Sequence, residues 1–358
     1  MDRLTSRAFS FLRFPLIVAV IVIHCNLLVK NPELEAKPVF YFLFFVTMKL
    51  VCLAVPLFFL MSGYLFFKEG YLDCESYKKK LARRVQTVLI PYLLWNVVYL
   101  VILGLMQLIK PDTLFILHKH IAEFRWQDFL WIFWDISKIT GLVDDQRACL
   151  VGAFWFLQCL FVLFLVSPII YIVIKYLRHL TLLLIGVFYF TDLIPILPGI
   201  HYNAITFYML GAYLSIMRID FMGIVKRIPV YVDLLMIMIA VLISYHLRDN
   251  ELVYKVTDVL LYVAVFGIVA YIIEKWQLRE SKYLVSSVFF VFAIHRLFSA
   301  FLMTVSSHVV SSIGNDFVLY GYYLLMVLLT VGLSLSVYQI GLKLVPKTTA
   351  ILNGHRNN

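Results

Sequence analysis

Long apolar stretches recur along the entire sequence, and they constrain the fold more than any other feature. Apolar residues make up 63% of the 358 residues and charged residues only 15%, whereas soluble domains carry roughly a quarter charged residues. The hydrocarbon core of a membrane offers no hydrogen-bond partners, so a crossing segment must satisfy its own backbone groups, and a helix does so. We therefore predict an all-α, polytopic transmembrane helical bundle.

The predicted spans number about ten, and residues 1–358 are expected to form a single integral-membrane domain. Pro56 predicts a kink in the long second span, because proline removes a helical hydrogen bond. An outer interfacial segment is expected near 110–150. The spans are predicted near 9–29, 39–67, 85–109, 153–174, 179–196, 202–217, 229–247, 256–273, 283–306 and 317–344.

Basic residues flank the spans unevenly, and this predicts the orientation of the chain. When the N-terminus is placed in the cytoplasm, most Lys and Arg between the spans fall on the cytoplasmic side, as the positive-inside rule requires. Both termini are therefore predicted to be cytoplasmic. The net charge of +10 needs no nucleic-acid partner, because the residues that flank spans account for most of it. The five cysteines form no CxxC pair, which favours free, packed thiols.

The first span contains two polar residues, Arg13 and His24, separated by the apolar run FPLIVAVIVI. This spacing is nearly a whole number of helical turns, so both side chains are expected on one helix face, about 16 Å apart along the axis. Polar side chains are costly to bury in a membrane, which favours a site that lines a cavity. Neutral imidazole can take a proton from a hydroxyl, as a general base in acyl transfer must. A histidine that only hydrogen-bonds a neighbouring helix is the alternative.

A second histidine, His295, lies in the apolar run VFFVFAIHRLF. It is a candidate to orient a reactant or to partner His24, and a structural hydrogen bond is an equal alternative. A basic cluster, Lys80, Arg83 and Arg84, precedes the third span. On a helix these side chains form one patch. The patch is suited either to the phosphates of a cytosolic cofactor or simply to anchoring the topology.

Three further polar or aromatic residues are weaker candidates for supporting or substrate-binding roles. Lys49 lies in the second span, where it either lines a site or extends its ammonium group to the membrane surface. Ser62 is more simply expected to bond its own helix backbone. Trp155, at the start of the fourth span, is more simply an interfacial anchor. In the outer segment, Trp residues are expected either to stack on a sugar or to form part of an amphipathic interfacial helix, which we favour slightly.

Taken together, these segments resemble the acyltransferase type 3 family of bacterial integral-membrane acyltransferases. Arg13–x10–His24 is similar to that family's first-span arginine–histidine motif, and VPLFFLMSGYLFF to its second-span pattern. The run from Arg83 and Arg84 to IPY resembles its basic third-span entry. AFWFL resembles its Trp-Phe-Leu segment, and FFVFAIH its late histidine-containing span. The resemblance covers nearly the whole chain, with the motifs in the same order.

The resemblance implies acyl-CoA-dependent O-acylation, usually acetylation, of cell-envelope carbohydrates at the bacterial cytoplasmic membrane. It also implies a catalytic role for His24 and a role for Arg13 in binding the acyl donor, acetyl-CoA. Lys80, Arg83 and Arg84 are then expected near the donor's phosphates. This chain has Lys80-x-x-Arg83 where the family commonly has Arg-x-x-Arg. The expected partners are a carbohydrate or glycolipid acceptor and membrane lipids, and no metal ligand set is predicted.

Two other functions fit the same residues. A transporter of a glycan, lipid or small metabolite would use buried Lys49, Asp233, His24 and His295 to line its route. No inverted repeat is evident in the sequence, which weakens that interpretation. A noncatalytic component of an envelope-synthesis complex is the third possibility. The sequence names neither the acceptor, nor the acyl group, nor the oligomeric state.

Overall fold

The computed structural model describes residues 3–110, 117–141, 148–191, 193–278 and 280–356, except for the side chains of Arg3 and His308. Within these ranges the chain is helical, with one isolated β-bridge between Leu197 and Ile200 and no strand. The α-helices are α1 Arg3–His24, α2 Pro38–Val51, α3 Ala54–Phe66, α4 Cys74–Arg84, α5 Ile90–Ile109, α6 Asp128–Trp131, α7 Ser137–Thr140, α8 Trp155–Leu177, α9 Thr181–Phe190, α10 Tyr202–Ile216, α11 Phe221–Val225, α12 Val230–His246, α13 Glu251–Trp276, α14 Lys282–Val310, α15 Asp316–Leu344 and α16 Pro346–Leu352.

Local sequence sets where several of these helices begin. Asp73 and Ser76 form a capping box at the start of α4, which satisfies backbone N–H groups that lack helical partners. Side chains of Asn250, Ser281 and Asn315 accept bonds from the first turns of α13, α14 and α15. Between α4 and α5 the helix widens into a π-helical turn at Val85–Leu89, a deviation that is frequent at functional sites.

Seven helical stretches are long and apolar enough to cross a membrane, which supports the prediction of an all-α polytopic membrane protein. These stretches are Leu4–Val29, Pro38–Phe66, Cys74–Ile109, Gly152–Phe190, Glu251–Trp276, Lys282–Ser307 and Asp316–Leu344.

The ten predicted spans are not all matched by stretches of this length. The fourth and fifth spans share Gly152–Phe190, and the seventh corresponds to the shorter apolar helix α12. The sixth corresponds to α10, which has 15 residues. The number of crossings and the side of each terminus stay predictions. Residues 1–2 and 357–358, and position 192 of the fifth predicted span, lie outside the described residues.

The kink predicted at Pro56 is confirmed. The helix stops at Val51 and restarts at Ala54, with a turn at Cys52 and Leu53 between them. A proline ring clashes with the carbonyl of the fourth residue before it and removes one hydrogen bond, so the break falls one turn N-terminal to the proline.

The helices group into two compact units. Unit 1 comprises residues 1–61 and 217–345, and unit 2 comprises residues 62–216 and 346–358. In unit 1, α1 packs against α2, α13, α14 and α15. The rings of Phe9, Phe221 and Phe266 form one cluster in its core. The expectation of a single integral-membrane domain over 1–358 stays a prediction.

In unit 2, α8 packs against α4 and α10, while α16 packs against α5. The indole Nε1 of Trp95 on α5 donates to the carbonyl of Leu352 at the end of α16, at 3.0 Å. The Arg356 guanidinium donates to the Thr87 carbonyl in the π-helical turn, at 3.1 Å. Unit 2 is therefore built from two parts of the chain, with the second part bound to the first by hydrogen bonds.

The outer segment predicted near 110–150 also belongs to unit 2, and its residues 111–116 and 142–147 lie outside the described part. The remainder contains short helical turns, including α6 and α7, rather than one long helix. Side-chain amides on neighbouring helices hold its backbone. Gln107 accepts from the Ile121 N–H at 3.0 Å, Asn96 accepts from the Val151 N–H at 3.3 Å, and Gln158 donates to the Trp134 carbonyl at 2.8 Å. These bonds give irregular backbone the partners it needs.

Candidate functional site

The predicted pair Arg13 and His24 lies on one uninterrupted helix, α1, even though Pro15 lies within it. Both side chains are half-buried. A helical rise of 1.5 Å per residue separates them by about 16 Å along the axis. The Arg13 side chain forms no hydrogen bond or ion pair with any other residue in the described ranges. A partly buried cation without an acidic neighbour is suited to an anionic ligand.

His24, the last residue of α1, lies beside His295 of α14. The centroids of the two imidazole rings are 5.2 Å apart, and the ring planes are tilted by 36°. The structure therefore brings these two predicted residues together within unit 1.

The hydrogen bonds of His295 determine how its protons are placed. Its side chain is fully buried, and Nδ1 lies 2.6 Å from the Phe292 carbonyl oxygen. A carbonyl only accepts, so Nδ1 carries the proton in the neutral ring and Nε2 is left as an acceptor. Within the described part of the chain, Nε2 has no hydrogen-bond partner.

Residues that the sequence analysis did not single out hold the end of α1 in place. The Tyr323 hydroxyl donates to the Val22 carbonyl at 3.2 Å. The Cys25 sulfur lies 3.7 Å from the Thr330 hydroxyl. Tyr323 and Thr330 are seven residues apart on α15, so they share a helix face, and that spacing was the available sequence signal.

Lys49 points into unit 1 rather than toward the surface, and its side chain is fully buried. Its Nζ donates to Asp258 Oδ1 at 2.6 Å and to the Tyr254 carbonyl at 3.1 Å. The ammonium group also lies 3.3 Å from the centroid of the Tyr254 ring. The sequence analysis missed Asp258, although a lone acidic residue in an apolar span was a signal that Lys49 had a partner. The contacts explain the burial of Lys49, and a substrate role for it stays a prediction.

The basic cluster of unit 2 is not a uniform patch of available cations. Lys80 forms an ion pair with Glu69 and donates to the Phe66 carbonyl at 2.9 Å. Partial burial alone would raise the pKa of Glu69, but the hydrogen bond and charge of Lys80 outweigh it and lower that pKa. The Arg84 guanidinium lies over the Phe164 ring, 4.9 Å from its centroid. Arg83 is exposed and has no ion pair with another described residue.

Ser62 and Trp155 also belong to unit 2. The Ser62 side chain is half-buried on α3, and its hydroxyl makes no hydrogen bond within the described ranges, so the expected bond to its own helix backbone is not observed. Its neighbour Gly63 lies directly against the backbone of Tyr208 on α10, a close approach that only glycine permits. Trp155 is half-buried, and its ring centroid lies 4.9 Å from that of His201.

The structure defines a polytopic helical membrane protein in which two imidazoles lie side by side at the end of the first helix. A family model described as an acyltransferase domain matches residues 7–339, nearly the whole chain. The chain therefore belongs to the acyltransferase type 3 family, and the resemblance expected from its motifs is confirmed. No curated protein and no solved structure gives a significant match.

Proposed function

We propose that this membrane acyltransferase transfers an acyl group from acyl-CoA, acetyl-CoA in the simplest case, to a hydroxyl of a cell-envelope carbohydrate. The observation that carries the proposal is the position of His24. Its ring is half-buried at the end of α1 and lies 5.2 Å from that of His295, in a chain of the acyltransferase type 3 family. An imidazole in such a place is suited to accept a proton from an alcohol.

In the proposed reaction His24 acts as the general base. It takes the proton of the acceptor hydroxyl as the oxygen attacks the thioester carbonyl. The new C–O bond forms, the C–S bond breaks, and the departing CoA thiolate takes the proton back from the imidazolium. The ester and the CoA thiol are the products, and His24 returns to its neutral form. An acyl-histidine intermediate is the less favoured variant.

Arg13 is assigned to the phosphates of the acyl donor. The donor carries several negative charges, and Arg13 is a half-buried cation whose charge no acidic residue in the described ranges offsets. The separation of about 16 Å along α1 suits a donor whose long, flexible arm joins its phosphates to its thioester. Within unit 2, taken by itself, Arg83 is exposed and forms no ion pair with another described residue, whereas Lys80 is paired with Glu69.

The acceptor is proposed to be a carbohydrate or glycolipid, and the location to be the bacterial cytoplasmic membrane. Both are what the resemblance to the acyltransferase type 3 family implies. The protein is an integral membrane protein by its long apolar helices, so a glycolipid in the same bilayer would have direct access to it. Trp126, Trp131 and Trp134 remain candidates for stacking on a sugar, and all three retain exposed surface.

The test uses purified protein in lipid vesicles, isotopically labelled acetyl-CoA and a crude envelope glycan extract. We expect one acetyl mass increment on a glycan by mass spectrometry, with stoichiometric release of CoA measured chromatographically. His24→Ala should lower transfer by about 100-fold or more, whereas the control His246→Ala, at an exposed helix end, should not. Full activity in His24→Ala would reject the base assignment. Glycan counterflow without acyl transfer would favour the transporter alternative.

A further inference from the structure

We infer that His295 is a positioning residue for His24: its Nε2 accepts the N–H of His24 and leaves the other His24 nitrogen facing the acceptor hydroxyl. This inference rests on the proposed function, because it assigns a partner to the proposed base. Three observations carry it. His295 is fully buried, its Nδ1–H is already donated to the Phe292 carbonyl, and its Nε2 is unpartnered within the described ranges beside the His24 ring.

The chemistry explains why a base of this kind needs such a partner. A neutral imidazole has one N–H and one lone pair, and only the nitrogen with the lone pair can accept a proton. Which nitrogen that is depends on the hydrogen bond made by the other one. His295 offers His24 an acceptor and no donor, because its own proton is committed to Phe292. It therefore selects one tautomer of His24 instead of allowing both.

The geometry is compatible with this bond. The rings are tilted by 36° with their centroids 5.2 Å apart, a separation at which a nitrogen of one imidazole can lie within hydrogen-bond distance of a nitrogen of the other. Catalytic hydrogen bonds often tighten only when substrate is bound. The backbone beside His24 is fixed meanwhile, since Tyr323 holds the Val22 carbonyl at 3.2 Å. His295 has no comparable freedom, being fully buried and bonded to its own helix.

An unpartnered buried nitrogen is otherwise costly. Burying a polar group without a hydrogen bond destabilises a folded protein. A purely structural histidine at this position would be expected to use both nitrogens. Nε2 of His295 instead has no partner within the described ranges, and the neighbouring ring is His24, to which the family resemblance assigns a catalytic role.

The test compares His295→Gln with His295→Met. Glutamine can donate to the Phe292 carbonyl and still offer an oxygen to His24, whereas methionine has similar bulk and no comparable acceptor. We expect His295→Gln to keep most of kcat and His295→Met to lose it by on the order of 100-fold, the lower range for a misdirected general base. The KM for acetyl-CoA should stay the same in both. In a His24→Ala background, neither substitution should lower the residual rate further.

A spectroscopic measurement makes the inference independent of activity. Nitrogen-15 NMR of histidine-labelled protein in lipid, with His24 assigned by its loss in His24→Ala, reports the tautomer of the ring. We expect one tautomer in the parent protein and in His295→Gln, and a mixture in His295→Met. Unchanged His24 signals in both variants would overturn the inference even if acyl transfer occurs. Absence of acyl transfer by the parent protein would instead overturn the proposed function, with the NMR result still deciding the role of His295.

Discussion

Replacing Lys49 by methionine should destabilise unit 1 strongly, because the substitution separates a buried ion pair. The Lys49 ammonium lies 2.6 Å from Asp258, and the two side chains are 0% and 16% exposed. Methionine fills a similar volume but leaves the Asp258 carboxylate without its cation. Removing one partner of a buried pair costs about 3–5 kcal/mol. The partial exposure of Asp258 places our expectation at the lower end, about 3 kcal/mol.

Removing both charges should restore most of that loss. An apolar pair of similar volume is often as stable as a buried ion pair, because the cost of desolvating two charges disappears with them. We therefore expect Lys49→Met/Asp258→Leu to lie within about 1 kcal/mol of the parent protein. A double-mutant cycle would then give a large coupling energy, as expected for side chains in direct contact.

The assay is reversible unfolding in mixed micelles, followed by tryptophan fluorescence, with the free energy of unfolding as the readout. Lys79→Met is the matched control, since Lys79 pairs with Glu75 on the surface of α4 with side chains 75% and 80% exposed. That control should show almost no change. A stable Lys49→Met protein, or a double variant as unstable as the sum of its single variants, would refute the reasoning. A stable Lys49→Met protein with lost acyl transfer would support a substrate role for Lys49.

Two further predictions concern unit 2. Gly63→Ala should lower the free energy of unfolding by about 1–3 kcal/mol, because the added methyl group meets the Tyr208 backbone. The control Gly186→Ala, which has open space around it, should not lower the free energy of unfolding. The same unfolding titration in micelles measures both variants. Glu69→Gln should cost less than about 1 kcal/mol near neutral pH, since its pair with Lys80 is partly exposed. Lys80 lowers the pKa of Glu69, so this contribution is lost as pH falls through that lowered pKa. The free energies of unfolding of Glu69→Gln and the parent protein should therefore converge in acid. A difference that persists below the pKa of Glu69 would contradict the proposed contribution of the Glu69–Lys80 pair.

The sequence was sufficient wherever a short stretch of chain decides the outcome. The spacing of Arg13 and His24 requires a single helix to present both, and α1 does so. The break before Pro56 lies one turn N-terminal to the proline, where the ring removes a helical hydrogen bond. The membrane class follows from apolar length, and the family follows from motifs in a fixed order. In each case the relevant interactions lie within one helix or one segment.

The sequence was insufficient wherever two distant segments meet. Asp258 lies far from Lys49 along the chain, and no local pattern pairs the two. His295 was a candidate in either of two roles, and only the packing of α14 against α1 shows that it lies beside His24. The basic helix face of Lys80 is compatible with either phosphate binding or topology anchoring, and only tertiary packing shows that Lys80 pairs with Glu69. Such pairings depend on tertiary packing.

The two-part construction of unit 2 has a consequence for biosynthesis. Residues 62–216 leave the ribosome well before α16, yet Trp95 and Thr87 take their partners from Leu352 and Arg356. The Trp95 indole N–H and the Thr87 carbonyl therefore lack these hydrogen-bond partners until all of residues 217–345 have been translated. A half-finished unit 2 is therefore an obligatory stage of co-translational assembly, and membrane chaperones or quality-control proteases would meet the chain at that stage.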